Sequence, residues 1–156
     1  MKKVMGIILC LVLLTPVLSW AVGTATVSRT TIGATNSRPR IVLTIVWAAD
    51  AGAVAPDALT INAETYGISG WYLYSAKTVP GTPSPTDNYD IVINDTSGFD
   101  IAGGKLANRD TTAVEIVNIG TATHGYPIVN GNLSFVVSGN AVNSATGTLI
   151  LTFVSD

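Results

Sequence analysis

From Val22 onward the chain is written in short apolar runs cut by turn residues, and this spacing restricts the fold more than any other feature. Clusters of Gly, Pro, Asn and Asp recur about every 8–12 residues, the rhythm of all-β domains. Between them lie runs such as Arg40 to Ala49 (RIVLTIVWAA), Tyr89 to Asn94 (YDIVIN) and Thr148 to Val154 (TLILTFV). These are short for helices and rich in β-branched residues, which favours strands. Thr, Val, Ile, Ala, Gly and Asn are abundant while Glu, Lys and Gln are scarce, a bias against helix. The expected fold is all-β, an antiparallel β-sandwich or jelly roll over residues 22–156, preceded by an N-terminal hydrophobic signal helix.

Strand alternation assigns the faces. Val22 to Ile32 reads as an edge strand, with Arg29 and Thr30 available to blunt the edge. In Arg40 to Ala49, Ile41, Leu43, Ile45 and Trp47 oppose Val42, Thr44, Val46 and Ala48. Both faces are largely apolar, so this strand is expected to be central and covered on both sides. Asp57 to Ala63 reads as a short strand. In Gly70 to Val79, Trp71, Leu73 and Ser75 oppose Tyr72, Tyr74 and Ala76. Pro80 to Pro85 (PGTPSP) cannot continue a ladder and crosses between strands. Tyr89, Ile91 and Ile93 share a face, Asn94 to Gly98 reads as a hairpin turn, and Phe99-Asp100-Ile101 returns. Lys105 to Ile119 holds a helical turn around Leu106 and then a strand, Ala113 to Val117. Asn130-Gly131 signals a hairpin between Ile128-Val129 and Leu133 to Ser138. Leu149, Leu151 and Phe153 point inward. Trp47, Ile45, Ile91, Phe135 and Leu151 are the expected core.

Residues 1–21 have the layout of an export signal. Lys2 and Lys3 precede an apolar run, Val4 to Leu14, and Ser19-Trp20-Ala21 fits cleavage after Ala21. A retained N-terminal anchor is the alternative, although the run falls short of the roughly 20 residues a span needs. The only cysteine, Cys10, lies in this segment, so residues 22–156 have no thiol for a disulfide, a nucleophile or a metal. Since Lys2 and Lys3 account for two of the eight Lys and Arg, the rest of the chain has six against ten Asp and Glu, a net charge of −4. There is no basic patch, and nucleic acid is not an expected partner. No stable membrane partner is expected after signal cleavage.

Sites of chemistry are sparse. Asp95-Thr96-Ser97-Gly98-Phe99-Asp100 places oxygen side chains at alternate positions around a glycine. A calcium loop uses such spacing because a hard cation wants several oxygens from one turn. Asp95, Ser97 and Asp100 are the candidate ligands, but the closing glutamate is missing, and the plainer reading is a turn in which Asp and Ser bond the local backbone. His124 has no second histidine to form a metal pair. Asp87 and Asp90 are a carboxylate pair of a common kind, and Arg109-Asp110 reads as local hydrogen bonding or an exposed ion pair. No nucleophile elbow, phosphate loop or zinc motif is present. No catalytic residue, cofactor or metal is expected, and the chain does not read as an enzyme.

Pro85-Thr86-Asp87-Asn88-Tyr89-Asp90, then a strand, Asp95 to Asp100, Gly103-Gly104 and Ala107-Asn108-Arg109-Asp110-Thr111 together resemble a family of small, uncharacterised tailed-phage proteins encoded near head and tail genes. Trp71-Tyr72-Leu73-Tyr74 and the closing Val142 to Phe153 are similar too, so the resemblance covers about residues 66–156. It implies a non-enzymatic virion structural β-protein, a head decoration, tail or fibre-associated part. Its partners would be itself or other virion structural proteins. No functional residues carry over. The export signal departs from this picture, since virion proteins assemble in the cytoplasm: either the true start lies downstream of Met1, or the segment is retained, or a phage-type module is reused on an exported protein. It keeps open an exported or cell-surface binding module, adhesin-like, with Tyr66, Tyr72, Tyr74 and Tyr126 as contacts for a glycan or surface. The expected location is accordingly the virion, or the periplasm or extracellular space.

Overall fold

The alternating runs become strands, and the strands form two antiparallel sheets. The computed structural model describes residues 22–33, 38–120 and 125–155. The expected signal helix or anchor (1–21) and His124 lie outside the described residues. One sheet has five strands in the order β1 (Thr24–Ile32), β2 (Arg40–Ala48), β8 (Thr146–Val154), β4 (Tyr72–Pro80) and β6 (Glu115–Asn118). The other has three, in the order β3 (Leu59–Ile61), β7 (Leu133–Ser138) and β5 (Asp90–Asn94). A single four-residue helix, α1 (Ala63–Tyr66), completes the described elements, so the protein is all-β. From β2 onward, every connection between consecutive strands passes from one sheet to the other.

Period-2 alternation selects what is buried. Ile41, Leu43, Ile45 and Trp47 of β2 and Leu149, Leu151 and Phe153 of β8 join Ile91 and Ile93 of β5 and Leu133, Phe135 and Val137 of β7 in one buried cluster. All five expected core residues lie in it. Trp47 packs against Tyr89 with ring centroids 5.8 Å apart and planes inclined by 50°. The indole needs space above β8, and Gly147, its register partner, provides it. A Cβ at Gly147 would lie 2.7 Å from Trp47 Nε1.

Four local expectations are corrected. β2 is central, between β1 and β8, but it is covered on one side only. Val42 and Thr44 are half-buried and Val46 is 50 % exposed, because no second layer among the described residues covers this face. Apolar character on both faces reflects a β-branched outer surface rather than double burial. The Asn130-Gly131 turn does not close a hairpin: Ile128 bridges Tyr72 in the five-stranded sheet, whereas β7 pairs with β3 and β5. The turn carries the chain between sheets. The strand read over Asp57 to Ala63 stops at Ile61, where Asn62 Oδ1 accepts the Thr65 N–H at 2.8 Å and starts α1. The return of Phe99-Asp100-Ile101 is no strand but a bridge, Asn94↔Asp100, followed by tight turns through Asn108. These turns lie along β5 and pair with it through Ile101 N–H to Ile93 and Ile91 N–H to Leu106.

Alternation also fails inside β4. Its register with β8 shifts between Leu73 and Ser75, leaving Tyr74 as the extra residue. Such a bulge turns two successive side chains to one side. Ala76, not Ser75, therefore joins Leu73 in the core.

Candidate functional site

The Asp95 turn is built as a brace. Asp95 Oδ1 accepts the Ser97 N–H at 2.8 Å, the Ser97 hydroxyl at 2.6 Å and the Phe99 N–H at 3.0 Å. These donors, the Ser97 hydroxyl foremost, hold the Asp95 carboxyl below its ordinary pKa. Asp100 Oδ1 accepts from the Ile93 and Ala102 N–H groups, and its Oδ2 from the Gly104 N–H at 2.7 Å. Asp95 thus accepts from its own turn, and Asp100 from the turn that follows it and from Ile93 of β5. No group of three or more His, Cys, Asp or Glu suited to a metal occurs among the described residues.

Pro85 to Asp90 and Ala107 to Thr111 form one bracket. Asn88 N–H donates to Arg109 O at 3.0 Å, Arg109 N–H to Tyr89 O at 2.7 Å, and the Thr111 hydroxyl to Pro85 O at 2.6 Å. Asp90 Oδ1 accepts the Asn108 N–H at 2.8 Å. Arg109 is buried, and its guanidinium donates to Ala107 O and lies 3.5 Å from Glu115 Oε2. Its ionic partner is thus Glu115 rather than Asp110. Asp110 instead accepts from the N–H groups of Ala113 and Thr112 and from the Thr112 hydroxyl, and these hold its carboxyl below the ordinary value. Asp87 bonds Asn88, its neighbour. Asp87, in a turn, and Asp90, at the start of β5, therefore have separate partners.

A candidate ligand cleft lies on the outer side of the five-stranded sheet. Arg38, Arg40, Tyr72, Tyr74, Tyr126, Val154 and Ser155 line a cleft of about 370 Å³. Sheet register builds it: Arg40 pairs with Val154 and Val154 with Tyr72, so a cation and an aromatic flank one aliphatic residue. The bulge adds Tyr74, whose ring lies 5.1 Å from that of Tyr126 at an angle of 38°. Tyr126 is seated by Gly120, where a Cβ would collide with the tyrosine ring. The loop holding Gly120 is tied down by Lys105, whose Nζ donates to Asn118 O at 2.7 Å and Ile119 O at 2.8 Å. Neither Arg38 nor Arg40 pairs with a carboxylate among the described residues, whose one ion pair is Arg109–Glu115.

Of the four tyrosines singled out from sequence, three meet in this cleft. Tyr66 does not; it packs beside the core at the end of α1. Arg38 and Arg40 were missed. The Arg-Pro-Arg spelling was visible, but its meaning depends on a register that a single sequence does not reveal. Comparison of the chain with protein-family models, with curated proteins and with solved structures gives no match.

Proposed function

We propose that the protein is a non-enzymatic structural part of a phage virion, a head decoration, tail or fibre-associated component, acting by self-association or by docking on a lattice of like subunits. One observation carries the reading: the outer face of the five-stranded sheet is flat in chemistry and open. Thr26, Ser28 and Thr30 of β1 stand beside Val46, Thr44 and Val42 of β2, and these beside Thr148, Ile150 and Thr152 of β8. No charge interrupts these nine positions, so identical copies meet without repulsion there. Val46 is 50 % exposed; Ile116, 69 % exposed, lies beyond Lys77, the cation that pairs with both it and Ile150 and borders these positions. At about 4.8 Å between strands and 6.7 Å between alternate residues, these nine positions span roughly 290 Å², a central part of the roughly 800 Å² each partner gives a standard interface. Beside it runs β1, nine residues with no proline and no pairing on its outer edge among the described residues. Arg29, expected to blunt this edge, is exposed with its guanidinium beside Gly67. Such an edge is a template for another strand.

This reading includes the fold in its finer form, a β-sandwich of jelly-roll kind. The alternation of consecutive strands between sheets and the single core shared by both support it. It also places the protein in the virion. Mass spectrometry of purified virions tests that placement: a copy number comparable to the capsid protein is expected. Absence from virions, with a mature N-terminus at Val22 in the periplasm or medium, would contradict it.

A second reading, an exported or cell-surface module that recognises a glycan or surface, is favoured by the tyrosine–arginine cleft. Tyrosines combine an apolar ring with a polar tip, as such recognition requires.

A further inference from the structure

We propose that the cleft between Arg40 and Tyr126 binds an acidic saccharide, taking the sugar ring on Tyr74 and Tyr126 and its carboxylate on Arg40 and Arg38. The inference rests on the second reading above, names its ligand class, and is independent of the self-association of the sheet face.

Three features select the ligand. The first is the pair of rings. Tyr126 keeps 39 % of its surface exposed although it lies against Tyr74. A pyranose presents an apolar C–H face to such a platform and hydroxyls to its rim, where tyrosine hydroxyls and Ser155 stand. The second is charge. Two of the six cations beyond residue 21 line this one cleft, and no Asp or Glu among the described residues does. A guanidinium binds a carboxylate through two parallel hydrogen bonds, a geometry that a neutral sugar does not satisfy. An inorganic anion would satisfy the arginines and leave the rings unused.

The third feature is the backbone. An extended acidic peptide would gain most of its affinity by pairing with a free strand edge. Here β4 has β8 on one side and β6 on the other, and Ile128 bridges Tyr72. Among the described residues neither β4 nor β8 has a free edge at the cleft, so recognition falls to side chains. The volume, about 370 Å³, lies at the small end of ligand sites and suits one or two sugar units.

The test is binding of the full chain to immobilised pairs that differ only in charge: galacturonate oligomers and their methyl esters, sialyllactose and lactose, with polyglutamate as the peptide probe. The acidic member of at least one pair should bind about tenfold or more tightly than its neutral counterpart. Arg40→Gln should abolish that preference, and added salt should weaken it. Tyr74→Ala should remove binding to both members; if that variant fails to fold, the solvent-exposed Arg38→Gln and Arg40→Gln carry the test. Equal binding of neutral and acidic members would overturn the role of the arginines while leaving the binding module standing. Tighter binding of polyglutamate than of any saccharide would overturn the ligand class. No binding to any probe would overturn both the inference and the reading beneath it. Oligomeric state should not differ between these variants and the parent.

Discussion

Tyr89 shows how a single buried group ties the fold to pH. It is fully buried against Trp47, and its hydroxyl has no hydrogen-bond partner among the described residues. Burial disfavours the phenolate and pushes the pKa from 10.0 to about 12. The folded state therefore keeps its proton over a range where the unfolded chain gives it up. The associated stability is intact below about pH 10 and is lost as pH rises toward 12. Tyr89→Phe removes both the titration and a hydroxyl without a partner. It should match or exceed the parent in stability at pH 7 and lose less melting temperature between pH 10 and 12. Asp95 and Asp110 act at the other end of the scale. Their depressed pKa values contribute stability that is present above the ordinary carboxylate range and is lost as pH falls through it. Asp95→Asn should flatten part of the fall in melting temperature below pH 4. Added calcium should leave the parent's melting temperature unchanged, and a rise of many degrees abolished by Asp95→Ala would establish a cation site at this turn. In the core, Trp47→Ala should cost about 3–5 kcal/mol in urea denaturation. At this scale the sequence was informative wherever alternation decides burial: Tyr89, Ile91 and Ile93 share a buried face as their spacing requires.

At the scale of elements, strands were easier to read than their partners. β2, β5 and β8 follow from apolar runs bounded by turn residues. Pairing does not follow, because consecutive strands here lie in different sheets and hairpin signals such as Asn130-Gly131 then mislead. α1 had a legible start at Asn62 and stop at Gly67, but four residues are too few to show a helical period. The bulge at Tyr74 left no signal in the spelling of β4, and with it the cleft was hidden. Lys105 is the side chain that shapes the cleft's far wall from outside it. Lys105→Met would leave the carbonyls of Asn118 and Ile119 without their charged donor. A loss of about 1–2 kcal/mol in urea denaturation is expected, since bonds to a charged donor exceed neutral ones but the site is part exposed. A loss near zero would mean that water replaces the ammonium fully.

For the whole molecule, the asymmetry between the sheets is the central fact. One side of the five-stranded sheet holds the core, while the other is β-branched, with Arg40 and Lys77 at its margins, and is flanked by an edge that is open among the described residues. Closed symmetric assemblies use such self-complementary faces. The most direct measurement is sedimentation velocity of the protein from Val22 onward over a range of concentration, beside Val46→Glu and Ile150→Glu. The parent should sediment as a discrete oligomer that dissociates on dilution, and each glutamate should shift it to monomer without changing its circular dichroism. A parent that remains monomeric at the highest concentration, or glutamate variants that associate as the parent does, would contradict the assignment of this face to self-association.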